Sequence, residues 1–137
     1  MLLTRSPDPP TEMNTTRNET PSHPGSRVRR SELATWLERT RSPIPETRRV
    51  AVRALCPCHV RADRDAVWNR LIEMTVDEDR KVRSHVVHAL TDGSPRDRER
   101  DVIGALERMQ LDPDPRLRRR TRKILAVYRR TGAWNVG

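Results

Sequence analysis

From Ser31 onward the chain carries apolar residues at helical spacing. Val82, Val86, Ala89 and Leu90 fall at i, i+4, i+7 and i+8, and Leu117, Thr121, Ile124 and Leu125 take the same spacing further on. A second stripe alternates with these: Val67, Trp68, Leu71 and Met74, then Val102, Ile103, Leu106 and Met109. Asp114 before Pro115 reads as an N-cap and first helical turn, and Asp79 holds the equivalent cap. Helices are therefore predicted over 31–41, 45–56, 63–76, 79–91, 95–110 and 115–130, with "DEDR" and "TDGSPRD" as turns.

Sliding the chain by 35 residues places "LIEMTVDEDRKVRSHVVHAL" over "LERMQLDPDPRLRRRTRKIL" without a gap. Leu71 meets Leu106, Asp77 meets Asp112, Asp79 meets Asp114 and Leu90 meets Leu125. A further step back sets Arg48 over Arg83 and Arg118, and Leu55 over Leu90. Each unit is a helical hairpin too small to hold a core alone, so stacking must bury the apolar layer.

These phased segments, "DEDRKVRSHVVHAL" and "DPDPRLR…IL", resemble HEAT repeats of the short bacterial type: an Asp-containing turn, then Val-Arg, then Ala-Leu. The resemblance covers about residues 31 to 130. It implies an all-α, right-handed α-solenoid of about three helical hairpins, with Arg48, Arg83 and Arg118 as structural arginines pairing with turn acids such as Asp77 or Asp112. In the first copy Thr47 replaces the Val and Ile44 replaces the capping Asp. The expected organisation is a disordered tail over 1–30 and one repeat domain over 31–137.

Residues 1–30 support the tail assignment, being rich in Pro, Ser, Thr and Asn with few apolar side chains after Leu3. No run approaches the roughly 18 apolar residues of a membrane span, and the start lacks the apolar segment of a leader. A cytoplasmic location without membrane contact is expected. The formal net charge is +9. Residues 1–30 contribute +2, residues 31–114 contribute −1 and residues 115–137 contribute +8. Arginine supplies 26 of the 28 basic residues, a bias that a GC-rich genome also produces, so the distribution says more than the total.

That distribution points to the last helix. Its polar face carries Arg116, Arg119, Arg120, Arg122, Lys123, Arg129 and Arg130, a dense set of cations suited to an anionic partner. An acidic protein is the expected partner, with a nucleic-acid backbone as the alternative and a merely solvated Arg face as the bland reading. The same helix has no successor, so either Trp134 folds back over Leu117, Ile124, Leu125 and Tyr128, or that edge docks a partner or a second copy.

The stretch "ALCPCHVRAD" gathers Cys56, Cys58 and His59 at a repeat junction, where His88 of the next repeat can approach. Thiolate with imidazole suits structural zinc, but Cys-x-Cys with an intervening Pro is not the usual spacing. Cys56 as a small core residue, with Pro57 ending the helix, is the leading reading; zinc is the alternative cofactor, and otherwise none is expected. Enzyme chemistry is not expected. The chain has no adjacent His-Glu pair, no Gly-rich phosphate loop and no nucleophile-base-acid set. An interaction module is the expected function.

Overall fold

The computed structural model describes residues 29–56 and 65–134. Within them the chain forms α1 (Leu33–Arg39), α2 (Pro45–Ala54), α3 (Asp65–Glu73), α4 (Arg80–Thr91), α5 (Glu99–Met109) and α6 (Pro115–Thr131), with no strand. The tail expected over 1–30 falls almost wholly outside the described residues. Several helices are shorter than the stripes predict, because their ends tighten into 3-10 turns at Arg30–Glu32, Met74–Val76 and Arg96–Arg98. At the end of α3, the Thr75 hydroxyl donates to the Ile72 carbonyl at 2.7 Å, which gives that carbonyl a side-chain donor as the helix closes.

α1 packs on α2, α3 on α4 and α5 on α6, and the hairpins stack mainly through α2 against α4 and α3 against α5. Leu55, Leu71, Leu90, Leu106 and Leu125 are fully buried, each at a position the 35-residue period marks as apolar. Burial of each such side chain contributes about 1.5–3 kcal/mol. Trp36 occupies the corresponding position of the first repeat. It is buried too, but its indole N–H finds no acceptor among the described residues.

The turns between paired helices carry the polar order. Asp77 Oδ1 accepts the backbone N–H of Asp79 at 2.9 Å, and Asp79 Oδ1 accepts Lys81 and Val82 N–H at 2.9 and 3.0 Å, starting α4. Asp112 and Asp114 repeat this before α6, with Asp114 capping Arg116 N–H at 2.8 Å. Ser42 and Ile44 stand at these positions in the first repeat: Ser42 Oγ still accepts the Ile44 N–H at 3.1 Å, but Ile44 caps nothing.

Between repeats, Arg48 donates through Nε and Nη2 to both oxygens of Asp77, at 2.9 and 3.1 Å. Arg83 does the same to Asp112 at 2.8 and 3.1 Å. Each arginine also anchors its own turn, Nη1 of Arg48 to the Ser42 carbonyl and Nη1 of Arg83 to the Asp77 carbonyl. Arg118 keeps the intra-repeat bond, to the Asp112 carbonyl at 2.7 Å, and meets no carboxylate among the described residues.

The last hairpin closes on itself. Gly132, at φ 71°, ends α6 in the left-handed conformation, and its N–H donates to the Tyr128 carbonyl at 2.7 Å. The reversal stacks Trp134 on Tyr128, with centroids 4.1 Å apart, and its indole N–H donates to Ser94 Oγ. Leu117 and Leu125 are buried, with Ile124 and Tyr128 packed against the core at partial exposure. Of the residues Trp134 is expected to cover, Tyr128 is the one it stacks on. The buried valine position of the earlier repeats, Val52 and Val87, becomes the exposed Arg122.

Replacing Asp112 by Ala strands the buried Arg83 guanidinium and should cost about 3–5 kcal/mol. Arg118→Gln should cost less than about 1.5 kcal/mol, since only bonds to backbone carbonyls are lost. Urea unfolding midpoints of the two variants, at unchanged slope, measure the contrast.

Candidate functional site

The seven cations expected on α6 divide between two flanks. Residues three and four apart share a helix face, so Arg116, Arg119, Arg120, Lys123 and Arg130 lie together. Arg122 and Arg129 point toward the α5 side: Arg122 donates to the Gln110 carbonyl at 3.4 Å and Arg129 reaches Glu107 at 3.3 Å. The sequence-level grouping of all seven is thus corrected to five on one face and two on another.

The larger group continues onto α4 and α2. In the repeat register Arg116 follows Lys81, Arg120 follows His85, and Lys123 follows Arg53 and His88. Arg120 bridges the neighbouring repeat, Nη1 donating to Ser84 Oγ at 3.0 Å and to the Ser84 carbonyl at 3.3 Å. Arg53, Lys81, Arg116, Arg119, Lys123 and Arg130 are exposed and meet no carboxylate within salt-bridge distance among the described residues. Arg49 on α2 is held by Glu46 one turn earlier. The charge sums hide this continuation, because acids in the turns and on the odd helices cancel the cations of α2 and α4.

Between α4 and α6 runs an open groove of about 210 Å³, lined by Arg80, Lys81, Ser84, Asp114, Arg116, Leu117 and Arg120. Four cations face one acid there, and Asp114 is already engaged as the α6 cap and with Arg80 at 3.7 Å. Arg120 is exposed, yet burial of part of its guanidinium against α4 pulls its proton affinity below the ordinary value. His85 lies at the same face, half-buried. Burial first, then the positive charge of Arg49, Arg53, His88 and Arg120, pushes it below the ordinary 6.5. A neutral His85 among these arginines leaves the groove's charge on the guanidinium and ammonium groups.

At the other end of α4, Cys56 and His88 come together as the sequence suggests, and Asp92 joins them. Cys56 Sγ lies 3.2 Å from Asp92 Oδ2, and His88 Nε2 lies 3.7 Å from the same oxygen. Cys58 and His59 lie outside the described residues. Asp92 escapes sequence reasoning because its partner is 36 residues away, although Ser84 and Arg120 meet at the same offset.

A family model for HEAT repeats matches residues 33–126. No curated protein and no solved structure gives a significant match. The matched span includes all of α1 to α5 and most of α6, and with them both complete Arg–Asp links.

The fold should weaken with acid in two windows. Because His85 binds its proton less readily folded than unfolded, the unfolded chain takes up more protons as pH falls through 6.5, and stability declines there. Asp79 and Asp114 are held below the ordinary 3.8, first by backbone N–H groups of Val82 and Arg116, so their contribution is lost at lower pH, as pH falls below 3.8. Thermal midpoints of His85→Gln should fall less than those of the parent between about pH 7 and pH 5. An identical slope would show that His85 does not titrate differently on unfolding.

Proposed function

The chain belongs to the HEAT-repeat family, and from that premise we propose that it is a non-enzymatic interaction module whose even-helix face binds an acidic protein segment. HEAT repeats generally serve protein–protein scaffolding. The single observation that carries the reading is the groove between α4 and α6, where Arg80, Lys81, Arg116 and Arg120 surround Asp114. Its guanidinium groups offer the planar donor pairs that carboxylates accept.

The surrounding cations extend the contact. Arg119 and Lys123 continue the face along α6, and Arg53 continues it onto α2, so an extended acidic segment crossing the three helices meets positive charge at each. Such a surface steers an acidic partner from solution and fixes its register, with modest affinity per pair. Tyr128 and Trp134 stack on each other at the far end of the last hairpin, so the face offers no aromatic platform for unpaired bases.

Capture from native lysate by the full chain, with and without nuclease, tests the reading. Expected is a nuclease-resistant set of acidic proteins whose capture falls about tenfold or more in the chain carrying Arg116→Gln, Arg119→Gln, Arg120→Gln and Lys123→Gln. The pair Arg122→Gln and Arg129→Gln on the other flank should leave capture unchanged. Loss of all binding on nuclease treatment would assign the face to nucleic acid instead.

A further inference from the structure

The junction of the first two repeats holds a constellation that the repeat does not require. The period places Thr91 and Ala126 over Cys56, Arg53 and Lys123 over His88, and Pro57 and Val127 over Asp92. None of those counterparts shares the chemistry, so Cys56, His88 and Asp92 are particular to this junction. Their ligand atoms, one thiol sulfur, one imidazole nitrogen and one carboxylate oxygen, all lie within 4.8 Å of one another.

We propose that Cys56, His88 and Asp92 form a zinc-binding site that ties the end of α2 to the end of α4. Metal–ligand bonds of about 2.0–2.3 Å at tetrahedral angles set ligand atoms about 3.3–3.6 Å apart. Two of the separations, 3.2 Å for Sγ to Oδ2 and 3.7 Å for Nε2 to Oδ2, bracket that spacing. Sulfur with imidazole selects a borderline-soft ion, which disfavours magnesium and calcium.

The backbone adds to the case. Cys56 directly follows the C-cap of α2, and Asp92 is the C-cap of α4, so the negative ends of two helices meet at the site and favour a cation. Cys56 is 3% exposed while the His88 and Asp92 side chains are 59% and 42% exposed, which places the thiol inside and leaves a path for the ion from solvent. Three ligands among the described residues leave a fourth position for a further donor. Binding converts the Cys56 thiol to thiolate and releases its proton to solvent.

The test uses the full chain, purified under reducing conditions, stripped of metal and titrated with cobalt(II), then zinc. One equivalent of cobalt should bind with the near-ultraviolet charge-transfer band of a cobalt–thiolate bond, and zinc should displace it and raise the thermal midpoint. Cys56→Ala, which places alanine where Ala126 stands in the third repeat, should fold and lack the band. His88→Gln and Asp92→Asn, both at exposed positions, should each weaken zinc by about tenfold or more. Absence of a stoichiometric band would overturn the site. So would a band that survives Cys56→Ala, or zinc affinity indifferent to both His88→Gln and Asp92→Asn.

Discussion

The paired hydrogen bonds from Arg83 to Asp112 join the second repeat to the third, and the rest of the architecture depends on them and on their counterpart from Arg48 to Asp77. A guanidinium fork on a carboxylate tolerates little rotation, so it sets both the separation and the register of adjacent turns. The same Asp that receives the fork accepts the backbone N–H of the cap residue two positions on. One side chain therefore couples the start of a helix to the repeat before it. Removing two charges from water is costly, and the arrangement is better understood as specifying one stacking geometry than as the main source of stability, which lies in the buried Leu and Val layer.

Once the register is fixed, what meets across the junction of even helices is fixed as well. Ser84 meets Arg120 and Cys56 meets Asp92 at the same offset of 36 residues. The inward positions are committed to packing: Ala51, Val86 and Thr121, or Leu55, Leu90 and Leu125, are all buried. Partly exposed positions are freer, and there the repeats differ more, with Val50, His85 and Arg120 occupying one row. Basic groove and thiol-imidazole-carboxylate cluster sit at opposite ends of α4, the groove open to solvent and the cluster with its thiol buried and its imidazole and carboxylate exposed.

Much of the fold is legible in the sequence because the same chemistry recurs every 35 residues. Arg48, Arg83 and Arg118 announce a structural role by their period, and the Asp77 and Asp112 partners follow from the turn that recurs with them. Helix ends are less legible, since the choice between α and 3-10 turns at Met74–Val76 is settled by local hydrogen bonds that no periodicity encodes. The candidate sites are harder still. Arg122 and Arg119 differ in face by helical spacing, but that α5 lies beside the Arg122 flank is visible only in the fold. Lys81 and Arg53 vanish into a segment of near-zero net charge. Asp92 stands in a turn, four residues after His88, and its relation to Cys56 exists only once the hairpins are stacked.

The central claim is that the Arg–Asp pairs tie successive repeats together, and a double-mutant cycle measures it most directly. Arg83→Met and Asp112→Leu, alone and combined, would be compared by urea unfolding at constant temperature. The account predicts large losses for each single change and a double variant that recovers much of the loss, with a coupling of about 2 kcal/mol or more. Losses that simply add would contradict it.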